Sequence, residues 1–92
     1  MEEINLEDLR IQIDKVDREL IKLLAERFEL TEQVGVYKAK KNLNPQDKSR
    51  EAKQFEKLEK LSLENGLNPE YAQKIFRCVM DIAISRHLEI GK

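Results

Sequence analysis

Cysteine occurs once, at Cys78, which leaves no partner for an intrachain disulfide and no thiol cluster for zinc. The residue is expected to be a small buried apolar side chain in a protein of a reducing compartment. Long apolar runs are also missing. None approaches the roughly 18 residues that a membrane helix needs, and the start, Met1-Glu2-Glu3-Ile4, is acidic with no apolar segment behind it. A soluble, cytoplasmic chain is the expectation. Nor does one sign of charge dominate. Charged residues make up 38% of the sequence, yet 17 Lys and Arg stand against 18 Asp and Glu. Residues 1–45 carry 8 basic and 10 acidic side chains, and residues 46–92 carry 9 and 8. That balance argues against a nucleic-acid arm and against a polybasic membrane anchor, so any anion site must be local.

Proline is absent from residues 6–41, and over that stretch apolar residues recur in steps of three and four: Leu6, Leu9, Ile13, Val16, Leu20, Leu23, then Leu30, Val34 and Tyr37. Such spacing marks one buried seam on a helix. Asn5, with Asp8 three residues on, supplies an N-cap and an acid in the first turn. One helix is read from about Asn5 to Lys41, its weak spot being Gly35, which costs about 1 kcal/mol relative to alanine. Asn42-Leu43-Asn44-Pro45 breaks the pattern, and a second amphipathic segment begins at Asp47 and carries Ala52, Phe55, Leu58, Leu61 and Leu63. Asn65-Gly66 is a stop signal. Asn68-Pro69-Glu70 opens a third segment as N-cap, proline and acid, with an apolar face of Ala72, Ile75, Phe76, Val79 and Ala83 and with Ile82 beside it. No stretch alternates with strand period, so the fold class is all-α, a single three-helix domain over residues 1–92. A first helix of some 36 residues would be about 54 Å long, whereas a compact chain of this size has a radius of gyration of about 12 Å. Its seam cannot be buried within one such globule. Two chains lying along each other would cover it, so an intertwined, domain-swapped homodimer is expected.

Charges stand where the seam should be apolar. The skipped seam position is Arg27, between Leu23 and Leu30. A guanidinium there needs an anion, either a side chain in a structural ion pair or a ligand carboxylate. Lys38 lies eleven residues on, within about 20° of the same helical face and roughly 16 Å along it. The two long side chains could converge on a small dianion. Arg10 is seventeen residues before Arg27, about 25 Å along the helix. It is either a solvated surface arginine or, in an antiparallel dimer, a residue that reaches the other chain's ligand. Asp47-x-x-Arg50-Glu51 puts an acid, a cation and an acid in the first turn of the second helix. Asp47 serves there as a cap or as part of a site, while Glu51 could accept a hydrogen bond from a ligand hydroxyl. His87 lies on the core stripe of the third helix, four residues beyond Ala83; with no second histidine or cysteine near it, it makes a poor metal site. The sequence holds no nucleophile with a paired base, no glycine-rich phosphate loop and no metal spacing. What remains suits a reaction driven by holding a dicarboxylate in one conformation and stabilising developing charge.

These residues resemble the all-helical, type II chorismate mutase family. The resemblance is carried by Leu9-Arg10, Ile13-Asp14, Asp17, Leu20-Ile21-Lys22-Leu23-Leu24-Ala25-Glu26-Arg27, Val34-Gly35, Lys38 and Asp47-x-x-Arg50-Glu51, all in register, and weakens after about Phe76. It implies an entwined dimer of three-helix protomers in which each active site is completed by an arginine of the other chain. The implied reaction is the Claisen rearrangement of chorismate to prephenate, on the way to phenylalanine and tyrosine, with no cofactor and no metal. By the same resemblance Arg27 and the other chain's Arg10 would grip the two carboxylates. Lys38 would donate to the ether oxygen, Glu51 and the backbone at Asp47 would hold the ring hydroxyl, and Arg50 would support the carboxylate environment.

The third helix departs from the family pattern. Where the family has a serine and, four residues later, a glutamine that donates to the ether oxygen, this chain aligned on Phe76 has Ala83 and His87. Ala83 offers no hydroxyl. His87 can still donate, so a turnover that falls as pH rises is expected. A frame shifted by two residues would use Ser85 and Glu89 instead. Three other readings remain open at this point: isochorismate-pyruvate lyase on the same scaffold, a non-catalytic helical dimer or regulatory module derived from the family, and a plain coiled-coil adaptor.

Overall fold

The computed structural model describes residues 4–92; the acidic start at Met1-Glu2-Glu3 lies outside the described residues. Three helices follow one another: α1 over Leu6–Lys40, α2 over Lys48–Glu64 and α3 over Pro69–Ile90. The described residues contain no strand. Among them, no helix is long and apolar enough to cross a membrane.

The ends of these helices follow from single residues. The Asn5 side chain accepts from the Glu7 N–H at 2.9 Å, and α1 begins one residue later than its capping asparagine. α1 stops where Asn42 takes a left-handed conformation, φ 55°, and the Leu43 N–H reaches back to the Lys38 carbonyl at 2.8 Å. α2 ends in the same way, with Gly66 at φ 68° and the Leu67 N–H on the Ser62 carbonyl at 2.8 Å. Both are the closing turn in which a residue with positive φ lets the next N–H satisfy a carbonyl of the last helical turn. Asp47 caps α2 by accepting from the Arg50 N–H at 3.0 Å, and Asn68 caps α3 by accepting from Glu70 at 2.9 Å. Asp47→Ala is expected to lower stability by about 1 kcal/mol, a fall in Tm of roughly 4–8 °C. Asp47→Asn, which keeps the acceptor, should melt with the wild type when both are followed by circular dichroism.

The chain divides into two units, Met1–Thr31 and Glu32–Lys92, and each is described by itself. Within the second, α2 packs on α3. The buried apolar residues are Ala72, Val79, Met80 and Ala83, joined by Ser62 and His87. Ser62 is satisfied within its own helix, its hydroxyl donating to the Leu58 carbonyl at 2.6 Å. The packed face of α2 therefore runs Phe55, Leu58, Ser62, at helical steps of three and four. Leu61 and Leu63, expected on that face, flank it and are exposed. On α3 Met80 is buried where the sequence pattern did not place it, and Ile75 is exposed. Cys78 also departs from expectation: it is exposed, because Val79 and Met80 take the inward positions beside it.

The last turns of α1 belong to the second unit and meet α3 at two points. Arg86 grips Glu32 through Nε and Nη2, the shortest contact being 2.7 Å. Gly35 is the buried residue of α1, and a Cβ built on it would lie 2.5 Å from Cδ2 of His87 and 2.9 Å from Cδ1 of Ile90. Gly35 is thus the point where α3 comes against the α1 backbone.

In the first unit the seam of α1 has no cover: Leu6, Leu9, Ile13, Val16, Leu20, Leu23 and Leu30 are all exposed.

Candidate active site

Lys38 stands three residues past Gly35, in the last turns of α1, and is half-buried. Its ammonium donates to the Pro45 carbonyl at 2.9 Å, across the connection that the left-handed Asn42 begins. An ammonium has three donors, so two remain. The side chain lines an open cleft of about 460 Å³, together with Leu43, Asn44, Gln46, Asp47 and Lys48. Two expected residues, Lys38 and Asp47, are therefore brought together, with a second cation, Lys48, at the same cleft. Asp47 spends its carboxylate on the α2 cap and lends its carbonyl to the Glu51 N–H at 3.0 Å. Arg50 is exposed.

Glu51 is not among the residues that line this cleft; it is joined to one of them, Gln46, whose amide nitrogen donates to both carboxylate oxygens, at 3.1 and 3.3 Å. From α3 comes a partner that the sequence did not announce. Arg77 lays its two terminal nitrogens against the two oxygens of Glu51, each at 3.1 Å, and the Glu51 side chain is 13% exposed. The hydrogen bonds from Arg77 hold the Glu51 carboxyl below its ordinary value, against burial, which pushes it up; Gln46, Arg77's charge and Lys48 add to the lowering. As pH falls the unfolded chain therefore takes up this proton first. The contribution of Glu51 to stability is complete above the ordinary carboxylate value of 4.5 and is lost as pH falls through the lower folded value.

Ala83 and His87 share the buried face of α3 one turn apart. Ala83 brings only a methyl group. The His87 ring edge lies against Gly35, so its place is set by the absence of a side chain there. Arg10 and Arg27 belong to the first unit, where Arg10 is exposed and Arg27 half-buried. A larger open cleft, about 640 Å³, is lined by Phe55, Glu70, Gln73, Lys74 and Arg77 and holds none of the expected site residues.

Sequence reasoning missed Gln46 and Arg77. Neither lies in a motif, and a contact 26 residues apart in the chain leaves no periodic trace. The visible signal was the i,i+4 pair of Arg77 with Asp81, which reads as an ordinary surface ion pair.

An all-helical chain with a cationic cleft at the α1–α2 connection, and without the elements of covalent or phosphate-loop chemistry, fits a class of proteins that bind a small anion and hold it. Comparison narrows the class. A profile described as chorismate mutase type II matches residues 9–88, and the chain belongs to that family. Among its relatives is the bifunctional chorismate mutase/prephenate dehydratase of Aquifex aeolicus, 37% identical over 88 residues, which are 92% of this chain and 24% of that protein. Another is the chorismate mutase of Methanocaldococcus jannaschii, 29% identical over 76 residues, 83% of this chain and 77% of that one. The T-protein of Haemophilus influenzae is 31% identical over 86 residues, 94% of this chain and 23% of its own length. The chain thus spans about a quarter of two of these relatives and most of the third.

Proposed function

We propose that this chain is a chorismate mutase domain, an isomerase that converts chorismate to prephenate in aromatic amino-acid synthesis. The observation that carries the reading is the cleft at the end of α1. There Lys38 and Asp47 line one opening, and Gln46, which lines it too, hydrogen-bonds Glu51 behind it; a cation and a carboxylate so placed suit a substrate with an ether oxygen and a ring hydroxyl.

In the rearrangement the C–O bond of the enolpyruvyl ether breaks as a C–C bond forms, within one molecule and with no covalent enzyme intermediate. Negative charge grows on the ether oxygen. Lys38 donates to that oxygen with a proton not used on Pro45, and a fixed cation stabilises the transition state more than the ground state. Glu51, kept ionised, accepts the ring hydroxyl. Arg27, and Arg10 of a second chain, hold the two carboxylates so that the flexible side chain stays folded over the ring. Arg50 adds positive charge near them. His87 takes the family's glutamine position, with its ring carried against Gly35, and Ala83 contributes shape alone.

The same reading makes residues 1–92 one domain of a homodimer. The bare seam of α1 supports it: large apolar side chains at seven seam positions, interrupted at Arg27, are in water in the single chain, a surface that a second copy of the same helix would cover.

The test is the loss of chorismate absorbance with purified protein from about pH 5 to about pH 9, with prephenate identified as product and Lys38→Ala as control. Turnover that Lys38→Ala removes is the expected outcome. Release of pyruvate from isochorismate in place of prephenate formation would transfer the site to the lyase reaction. Chorismate binding without turnover at any pH would make the chain a binding module.

A further inference from the structure

Glu51 is held from more directions than a structural ion pair needs. Arg77 meets it as a fork, one nitrogen per oxygen, and Gln46 closes on the carboxylate from the α1–α2 connection. Arg77 is itself held. Asp81 accepts from its Nε at 3.0 Å and from its Nη2 at 2.7 Å, and the guanidinium lies 5.7 Å from the centre of the Phe55 ring. Four side chains from two helices and a loop thereby fix one carboxylate plane. An ordinary exposed pair contributes little and needs no such bracing. A carboxylate offers about four lone-pair positions. The fork takes one on each oxygen and Gln46 shares a third, which leaves room for about one more donor.

We infer that Arg77 is a positioning residue for the proposed reaction: by fixing the plane of the Glu51 carboxylate it sets the direction in which Glu51 accepts the substrate's ring hydroxyl. The inference rests on the reading of Glu51 as the hydroxyl acceptor. The groups that face Glu51 are Arg77 from α3, with Asp81 behind it, Gln46 from the connection and Lys48 from its own helix. Of these, Arg77 alone supplies both geometry and charge to both oxygens.

The experiment is the pH profile of kcat/KM for chorismate in the wild type, Arg77→Gln and Arg77→Lys, with Tm measured for each. Arg77→Gln is expected to lower kcat/KM by about tenfold to a hundredfold, the scale of a misplaced contact. KM should carry most of the change, and the acid limb should move to higher pH as the Glu51 carboxyl returns toward its ordinary range. Arg77→Lys keeps the positive charge, and with it the fold, but cannot fork. It should restore the acid limb in part and leave KM raised. In a Glu51→Gln background the Arg77→Gln substitution should have no further effect on the acid limb. An unmoved acid limb and unchanged KM in an active Arg77→Gln enzyme would overturn the inference alone, and so would full rescue by lysine. A folded wild type without turnover of chorismate would overturn the functional reading, and the inference with it.

Discussion

Lys38→Ala is expected to lower kcat/KM for chorismate by about 10²–10³-fold, the loss that follows removal of one preorganised donor to a developing oxyanion. Most of it should fall on kcat. In the proposed mechanism the charge that Lys38 meets exists in the transition state and scarcely in the bound substrate, so the lost interaction would be a differential one. Arginine at this position should not restore the rate, since a planar fork on a longer arm does not replace a point donor that also bonds to the Pro45 carbonyl. That second bond gives the substitution a structural side. Losing it costs about 1 kcal/mol, or roughly 4–8 °C in Tm, too little to unfold the chain in a room-temperature assay. Steady-state kinetics beside a thermal melt separate the two effects. A Lys38→Ala enzyme with wild-type turnover would remove Lys38 from the chemistry and the cleft from the mechanism. Arg27→Ala should be as damaging to turnover, and there the loss should appear in KM as well, because the carboxylate contact proposed for Arg27 would be made in both ground and transition state.

The largest effect on stability is expected at Gly35. On helix propensity alone, alanine in place of this glycine should stabilise α1 by about 1 kcal/mol. The packing argues the other way. A Cβ would lie 2.5 Å from the His87 ring and 2.9 Å from the end of Ile90, and the ring is buried. Ile90 can swing its terminal methyl aside, whereas His87 has to move α3 or leave its place. Forcing atoms into such a contact costs about 1–3 kcal/mol, so Gly35→Ala should be mildly destabilising. Gly35→Val, with two further methyl groups and little gain in propensity, should lose about 2–3 kcal/mol, a fall in Tm of roughly 10 °C or more. Adding His87→Ala to Gly35→Val should recover much of that loss by opening the space the methyl groups need. A Gly35→Ala protein that melts above the wild type would show that propensity outweighs the contact, and that α3 yields easily at this point.

The helices were legible because their signals are local. Asn5, Asp47 and Asn68 cap where the sequence placed them, and Asn42 and Gly66 carry the positive φ that ends α1 and α2. The buried stripe Ala72, Val79, Ala83, His87 of α3 follows from helical spacing alone. What periodicity could not give is which of several neighbouring apolar residues turns inward. Leu61 and Leu63 looked as suitable as any, yet the face of α2 is completed by Ser62, whose hydroxyl is satisfied by its own helix. Cys78 was misjudged for the same reason: composition favours burial, and its angle on α3 decides otherwise. Gly35 read as a weak spot in a helix, and its purpose became visible only with α3 against it. At the candidate site the family resemblance marked Lys38, Asp47 and Glu51. Of the braces on Glu51, Gln46 stands five residues before it, just outside the motif that the resemblance marked, and Arg77, 26 residues on, was invisible until the helices packed.

The uncovered stripe of α1 also matters before any substrate is met. α2 and α3 are joined by a short turn, so their contacts lie close in sequence and within a single chain. The row from Leu6 to Leu30 has nothing comparable to wait for in its own unit. If a second copy is its cover, the final step of folding is an encounter, with a rate that grows with the number of chains present. A chain diluted far enough would stall there, with its core made and its longest helix still sticky. The same residues that would join two copies are then the ones that expose a newly made chain to aggregation.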